Sequence, residues 1–330
     1  MFLTVVISTR NRSALLDKAL GSLTNQTYPQ ATFEVIVVDN GSSDTTRNIC
    51  LSRSKQIENF RYLYDKRPGL YVARHAGWQA AQGEIIIFTD DDVRVSNMWL
   101  EGIYEAFQDR RVGLVGGKIL PEFESTPPEW LHFLWRKTPW GMALPYYSLL
   151  DFGDVVQEIS PLFVWGCNFA IREHILREVG GFHPDSMPDN LLCFRGDGET
   201  SVATSVGNKG YAILYHPKAL VYHLVSTNRM SEDYLYRRAF AEGISASYTT
   251  TRLSRGISFR LRLRNLKLRL VYPVRRCLDI FTSKHTSITD AIRRGFWAGY
   301  WYHQKELHAN RTLVEWVLKK NYLQENGCEP

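Results

Sequence analysis

RPGLYVARHAGWQAAQGEIIIFTDDDV, residues 67–93, decides the fold. Leu70 to Gln82 carries apolar residues at helical spacing, and Gly83 ends that helix. Glu84 to Thr89 is a short, almost wholly apolar run, the pattern of a strand buried on both faces, and it leads straight into Asp90, Asp91 and Asp92. Upstream the same alternation repeats. Phe2 to Ser8 reads as a strand, Asn11 to Leu23 as a helix with Leu15, Leu16, Ala19, Leu20 and Leu23 on one face, and Phe33 to Val38 as a second strand. A turn at Asn40 to Asp44 precedes a helix from about Thr45, and Phe60 to Tyr64 is a third strand. Strands alternating with helices build a mainly parallel α/β sheet.

Downstream the regularity loosens. Val112 to Phe123 and Leu162 to Ile171 read as strands, and the stretch from Pro121 to Pro161 between them is an irregular insert rich in Pro and Trp. Short helices are expected over Arg172 to Val179 and Glu199 to Asn208, closed by Gly180-Gly181 and Gly210. Tyr211 to Tyr215 and Ala219 to His223 read as strands around His216-Pro217, and Ser231 to about Thr250 as a longer helix.

The 330 residues, 44% hydrophobic and 22% charged, are enough for a sizeable core. Cys50, Cys167, Cys193, Cys277 and Cys328 form no CxxC pair, which argues against a disulfide framework or a structural zinc. The first residues lack a basic, then apolar, leader, and no run approaches the length of a spanning helix. A cytoplasmic protein, neither secreted nor integral, is the expectation. The net charge of +6 is unevenly spread: residues 252–330 hold 16 Lys/Arg against 6 Asp/Glu, and residues 252–276 hold nine Arg/Lys and no acid, interleaved with Leu, Ile and Phe.

In open parallel sheets, ligands gather at the carboxyl ends of strands. Three strand ends here carry Ser8-Thr9-Arg10-Asn11, Asp39-Asn40-Gly41-Ser42 and Asp90-Asp91-Asp92. Residues two apart on a strand share a face, so Asp90 and Asp92 can face one cavity, where Mg2+ or Mn2+ would relieve their repulsion. The bland competitor is a solvated turn with helix caps.

STRNR after the first strand, VVDNGSSDTT after the second, residues 67–93, then VWGCNFAIREHILREVGGF, GDGETS and YAILYHPKALVYH together resemble the inverting glycosyltransferases of family 2, over roughly residues 1–250. The resemblance implies a GT-A fold and a nucleotide-sugar donor, usually UDP-linked, held with a divalent metal. By it, Thr9, Arg10, Asn11, Asp39 and Gly41 would hold the nucleotide, with the Asp39 carboxylate accepting the imino N–H of uracil. Arg74 would approach the pyrophosphate. Asp90 would bind ribose or metal, Asp91 would stand beside it on the donor, and Asp92 would be the direct metal ligand. His223 would complete the metal shell or contact phosphate. Trp165 and Asn168 would lie near the donor sugar, with Gly166 allowing close approach and Cys167 a packing residue.

Inverting transfer needs a carboxylate base for the acceptor hydroxyl. The resemblance, counted back from Gly210, implies Glu199. GDGETS departs from the common run of consecutive acids, which keeps Asp197 a rival. Arg229 and Arg238 could meet a diphosphate or an acidic acceptor, or could be helix-surface charges. The implied acceptor is a glycan or a lipid-linked sugar. For the basic tail the preferred reading is an amphipathic segment on an anionic membrane surface, at the inner face of the cell membrane, followed by Phe296 to Tyr302 at headgroup level. A homodimer contact competes, and nucleic acid is not expected, because stacking positions are missing around the arginines. The domain expectation is a catalytic unit over 1–250 and a basic helical extension over 251–330. Two rivals to a transferase are a nucleotide-sugar-binding protein without catalysis and a nucleotidyltransferase, the latter disfavoured by the lack of a Gly-rich phosphate loop at the first strand.

Overall fold

The computed structural model describes residues 1–257, 263, 265–267, 286–319 and 321–323. Its first half follows the expected alternation: β1 (Leu3–Thr9), α1 (Ser13–Leu23), β2 (Phe33–Asp39), α2 (Thr46–Arg53), β3 (Phe60–Tyr64), α3 (Leu70–Ala80) and β4 (Ile85–Asp90). The strands pair in parallel in the order β3-β2-β1-β4. The apolar runs of β1, β2 and β4 are buried throughout their centres, as strands covered by helices must be. The register sets Thr9 beside Asp39 and Ser8 beside Asp90, so the three polar strand ends meet at one edge.

The second half is less regular. It runs β5 (Val93–Val95), α4 (Trp99–Ala106), β6 (Val112–Phe123), α5 (Glu129–His132), β7 (Arg136–Lys137), β8 (Met142–Leu144), β9 (Leu149–Asp151), β10 (Gln157–Glu158), β11 (Phe169–Arg172), α6 (Glu173–Glu178), α7 (Gly198–Asn208), β12 (Ala212–Val225) and α8 (Glu232–Leu253). β11 enters antiparallel between β4 and β6, and β12 runs parallel to β6, so the central sheet is mixed. The strand expected over Leu162 to Ile171 is confined to β11. Pro161 sets a single helical turn over Pro161–Phe163 instead, with the Ser160 hydroxyl accepting from the Leu162 N–H. The two strands expected around His216-Pro217 are one, β12, whose pairing with β6 shifts between His216 and Val221, where Pro217 has no N–H to donate. The insert is partly ordered by the β7-β8-β9 meander.

Residue 250, the expected domain boundary, lies inside α8. The helix Thr286–Ala309 packs along α8 so closely that a Cβ on Gly299 would run into the Phe240 carbonyl. Their contact is sealed by buried polar groups: Ser247 Oγ lies 2.7 Å from His303 Nδ1, and Gln304 donates to Ser247 and Thr251. In the last helix, Arg311–Leu318, the Trp316 indole donates to the Phe194 carbonyl at 2.9 Å. The described part of the tail is thus packed on the body. Of the expected headgroup residues, Tyr300 is buried and donates to Asn265. Most of the basic stretch 252–276, with its expected membrane or dimer contact, lies outside the described residues. Among the described residues no helix is long and apolar enough to cross a membrane.

Candidate active site

A cavity of about 1040 Å³ opens at the carboxyl ends of β1 and β4 and reaches across to α7 and α8. Asp90 ends β4 and the chain turns at once, which fans the three acids apart. Asp91 turns toward β1, accepting from Thr9 Oγ1 at 2.8 Å and from Arg12 at 3.0 Å. Burial pushes its carboxyl up to about 6, against the pull of Arg12 and with the push of Asp92. Asp92 accepts from Arg229 at 2.8 Å and lies 3.4 Å from both Arg12 and His223 Nε2. Burial works to raise its carboxyl, but His223, Arg229 and Arg12 outweigh it and hold Asp92 well below the usual range. Asp90, by contrast, is raised, chiefly by burial, with Arg74 opposing and Asp92 reinforcing.

The fit of a divalent cation can be judged from His223. Its Nδ1 lies 2.8 Å from the Tyr147 carbonyl, a contact that requires Nδ1 to carry the hydrogen. In the neutral ring the Nε2 lone pair then faces a carboxylate oxygen of Asp92, and two lone pairs so placed repel unless a proton or a cation lies between them. The carboxylate suits Mn2+ or Mg2+, whereas the imidazole nitrogen suits a transition ion such as Mn2+ better than hard Mg2+. Among the described residues no cluster of three or more ligating side chains occurs, so Asp90, Asp92 and His223 do not converge as a three-ligand set.

The opposite wall carries Glu199 in the first turn of α7. Its Oε1 accepts from the Gly166 N–H at 3.2 Å and its Oε2 from Arg74 at 3.3 Å. A Cβ at Gly166 would run into the Arg74 guanidinium, so a side chain there would displace Arg74 from its present place. Arg74 is buried between Glu199 and Asp90, 3.6 Å from the latter. Burial raises the Glu199 carboxyl, Arg74 opposes this, and Asp185 adds to it, leaving it above its ordinary value. Asp197 stands just outside the helix at the N-cap, where one oxygen lies 2.6 Å from His183 Nδ1 and the other accepts from Thr249 at 2.6 Å.

Thr9, Arg10, Arg74, Asp90, Asp91, Asp92, Trp165, Asp197, Glu199 and His223 therefore share one cavity. Asp39, Asn11 and Gly41 do not line it. Asp39 is buried and accepts from the Ser42 N–H and the Tyr62 hydroxyl, both at 2.7 Å. Asn11, at φ 52°, pins the loop after β2 by accepting from the Ser43 N–H. Asn168 is turned into the scaffold, accepting from the Trp99 indole at 2.9 Å and donating to the Ala219 carbonyl at 2.8 Å. Cys167 is buried, and burial holds its thiol well up. Arg229 is on Asp92, whereas Arg238 pairs with Glu242 on its own helix at 2.9 Å.

Sequence reasoning missed Arg12, which neutralises Asp91 and Asp92, although STRNR contains it. It also missed Asp185 and its ion pair with Arg195 at 2.8 Å, for which the local sequence holds no signal.

Residues 4–180 match the family model described as "Glycosyl transferase family 2". Glycosyltransferase AglE of Haloferax volcanii is 29% identical over 216 residues, covering 65% of this chain and 64% of that protein. Validoxylamine A glucosyltransferase of Streptomyces hygroscopicus subsp. jinggangensis is 30% identical over 204 residues, covering 56% of this chain and 47% of that one. The chain thus spans about half to two thirds of the length of these curated relatives. Among solved structures, the mannosyltransferase PcManGT from Pyrobaculum calidifontis, in complex with GDP-Man and Mn2+, has the same fold with a TM-score of 0.56 at 18% identity, covering 98% of this chain and 88% of that one.

Proposed function

Because the chain belongs to glycosyl transferase family 2 and has the GT-A fold, we propose that it transfers a sugar, with inversion, from a UDP-linked donor to a hydroxyl of a glycan or glycolipid acceptor. The observation that carries this reading is the placement of Glu199 across one cavity from the acidic strand end, with its carboxyl raised by burial. A carboxylate with raised proton affinity suits removal of a proton from an acceptor hydroxyl as that oxygen attacks the anomeric carbon. Both acids have each oxygen engaged, but Glu199 is held by Gly166 and Arg74 and so faces the acidic strand end, whereas Asp197 is held by His183 and Thr249 at the N-cap of α7.

On the donor side, Asp39 keeps spare lone pairs beyond its two bonds and would accept from the uracil N–H. Arg74 would carry positive charge toward the diphosphate. Asp92 and His223 would hold the metal, with Asp90 beside them, and when bound Mn2+ or Mg2+ would stabilise the negative charge on the departing diphosphate. PcManGT, named as bound to GDP-Man and Mn2+, supports a nucleotide-sugar donor held with a metal here.

The test is UDP release from a panel of UDP-sugars in the presence of Mn2+. Glu199→Gln should keep UDP affinity and lose turnover by roughly 10²–10⁴-fold. Full turnover in Glu199→Gln, together with its loss in Asp197→Asn, would move the base to Asp197. UDP binding without any turnover by the natural protein would favour the binding-protein reading.

A further inference from the structure

The cavity continues past the donor side to a wall that no strand end builds. Arg136 of β7 and Tyr146 come from the insert, Arg238 and Glu242 from α8, and Phe296 from the helix Thr286–Ala309. Five cavity arginines, Arg12, Arg74, Arg195, Arg229 and Arg238, each lie against a carboxylate. Arg136 does not: it is exposed, has no carboxylate partner among the described residues, and sits with its guanidinium carbon 5.9 Å from the centre of the Tyr146 ring. Arg10 likewise lacks a carboxylate partner among the described residues, but it follows β1 on the donor side. Arg136, Arg238 and Glu242 all act on the Tyr146 hydroxyl: burial pushes it up, the two arginines pull it down, and Glu242 pushes it up. Arg238 is paired with Glu242 at 2.9 Å, which leaves Arg136, over the Tyr146 ring, as the cation of this wall with no carboxylate partner among the described residues.

We infer that this wall is the acceptor subsite and that it takes a saccharide bearing an anionic group, a carboxylate or a phosphate ester, with Arg136 selecting that charge. The guanidinium offers forked donors suited to either group, the Tyr146 hydroxyl adds one, and Tyr146 and Phe296 give a sugar ring apolar surface to lie on. The inference deepens the proposed function and rests on it for the identity of the other substrate. It gives a role to a charge that the insert holds at the mouth of the cavity, apart from Tyr147, whose carbonyl meets His223.

The experiment titrates three probes into the full-length protein with Mn2+, with and without UDP, by ligand-observed NMR: methyl β-glucuronide, glucose 6-phosphate and neutral methyl β-glucoside. Binding of at least one charged probe about tenfold tighter than the glucoside is expected. That preference should vanish in Arg136→Ala, survive in part in Arg136→Lys, and weaken with added salt, while UDP affinity stays the same in all three proteins. Which charged probe gains tells carboxylate from phosphate. Equal behaviour of charged and neutral probes, including no binding of either, overturns the inference, as does a preference that persists in Arg136→Ala. Failure of UDP to bind, with an Arg136-dependent charge preference intact, would remove the donor reading and leave the subsite standing.

Discussion

The Asn168 amide makes two bonds inside the scaffold, to the Trp99 indole and to the Ala219 carbonyl, with 1% of the residue exposed. Asn168→Ala strands both partners where water does not reach, which should cost about 2 kcal/mol or more in urea unfolding. UDP affinity of the folded variant should stay within about threefold of the natural protein. A large loss of UDP affinity with unchanged stability would instead place Asn168 on the donor. The motif around it was legible in the sequence, since Trp165 and Gly166 do reach the cavity. Which members of a short segment face a cavity, and which face the core, depends on long-range neighbours such as Trp99 that a local pattern cannot show. The pair Asp197 and Glu199 gives the same lesson. Only two residues apart, they are near equivalents in sequence, but the N-cap geometry of α7 directs Asp197 to His183 and Thr249 and leaves Glu199 facing Arg74.

At the scale of elements, strands β1, β2 and β4 were readable because each is a short apolar run bounded by turn residues and buried on both faces, and β3, a half-buried edge strand, because its aromatic run is bounded by turn residues. The direction of β11 was not readable, because antiparallel entry between β4 and β6 is decided by pairing partners far away in sequence. Helix α4 was overlooked, although Trp99, Leu100, Ile103 and Ala106 lie on one buried face. The packing of the helix Thr286–Ala309 on α8 shows only in space, and it turns on small residues. Gly299→Leu would force the backbones apart at Phe240. It should cost about 1–3 kcal/mol and lower the melting temperature by several degrees in calorimetry. An unchanged melting temperature would mean that the two helices do not bear on each other so closely in solution.

Over the whole molecule, opposite charges are concentrated where they can be used. The acids after β4 are balanced by Arg12, Arg74 and Arg229, brought from β1's loop, α3 and the segment before α8. Such a site is prepared for a ligand that brings negative phosphates together with a cation, because added charge of either sign meets an existing partner. The cavity, we propose, binds a uridine diphosphate sugar through a metal at Asp92. Calorimetric titration of UDP into the natural protein with Mn2+, again with EDTA, and into Asp92→Asn tests it most directly. UDP should bind with Mn2+, and EDTA or Asp92→Asn should each weaken that binding at least about tenfold. UDP binding that ignores both EDTA and Asp92→Asn, or no UDP binding at all, would contradict it.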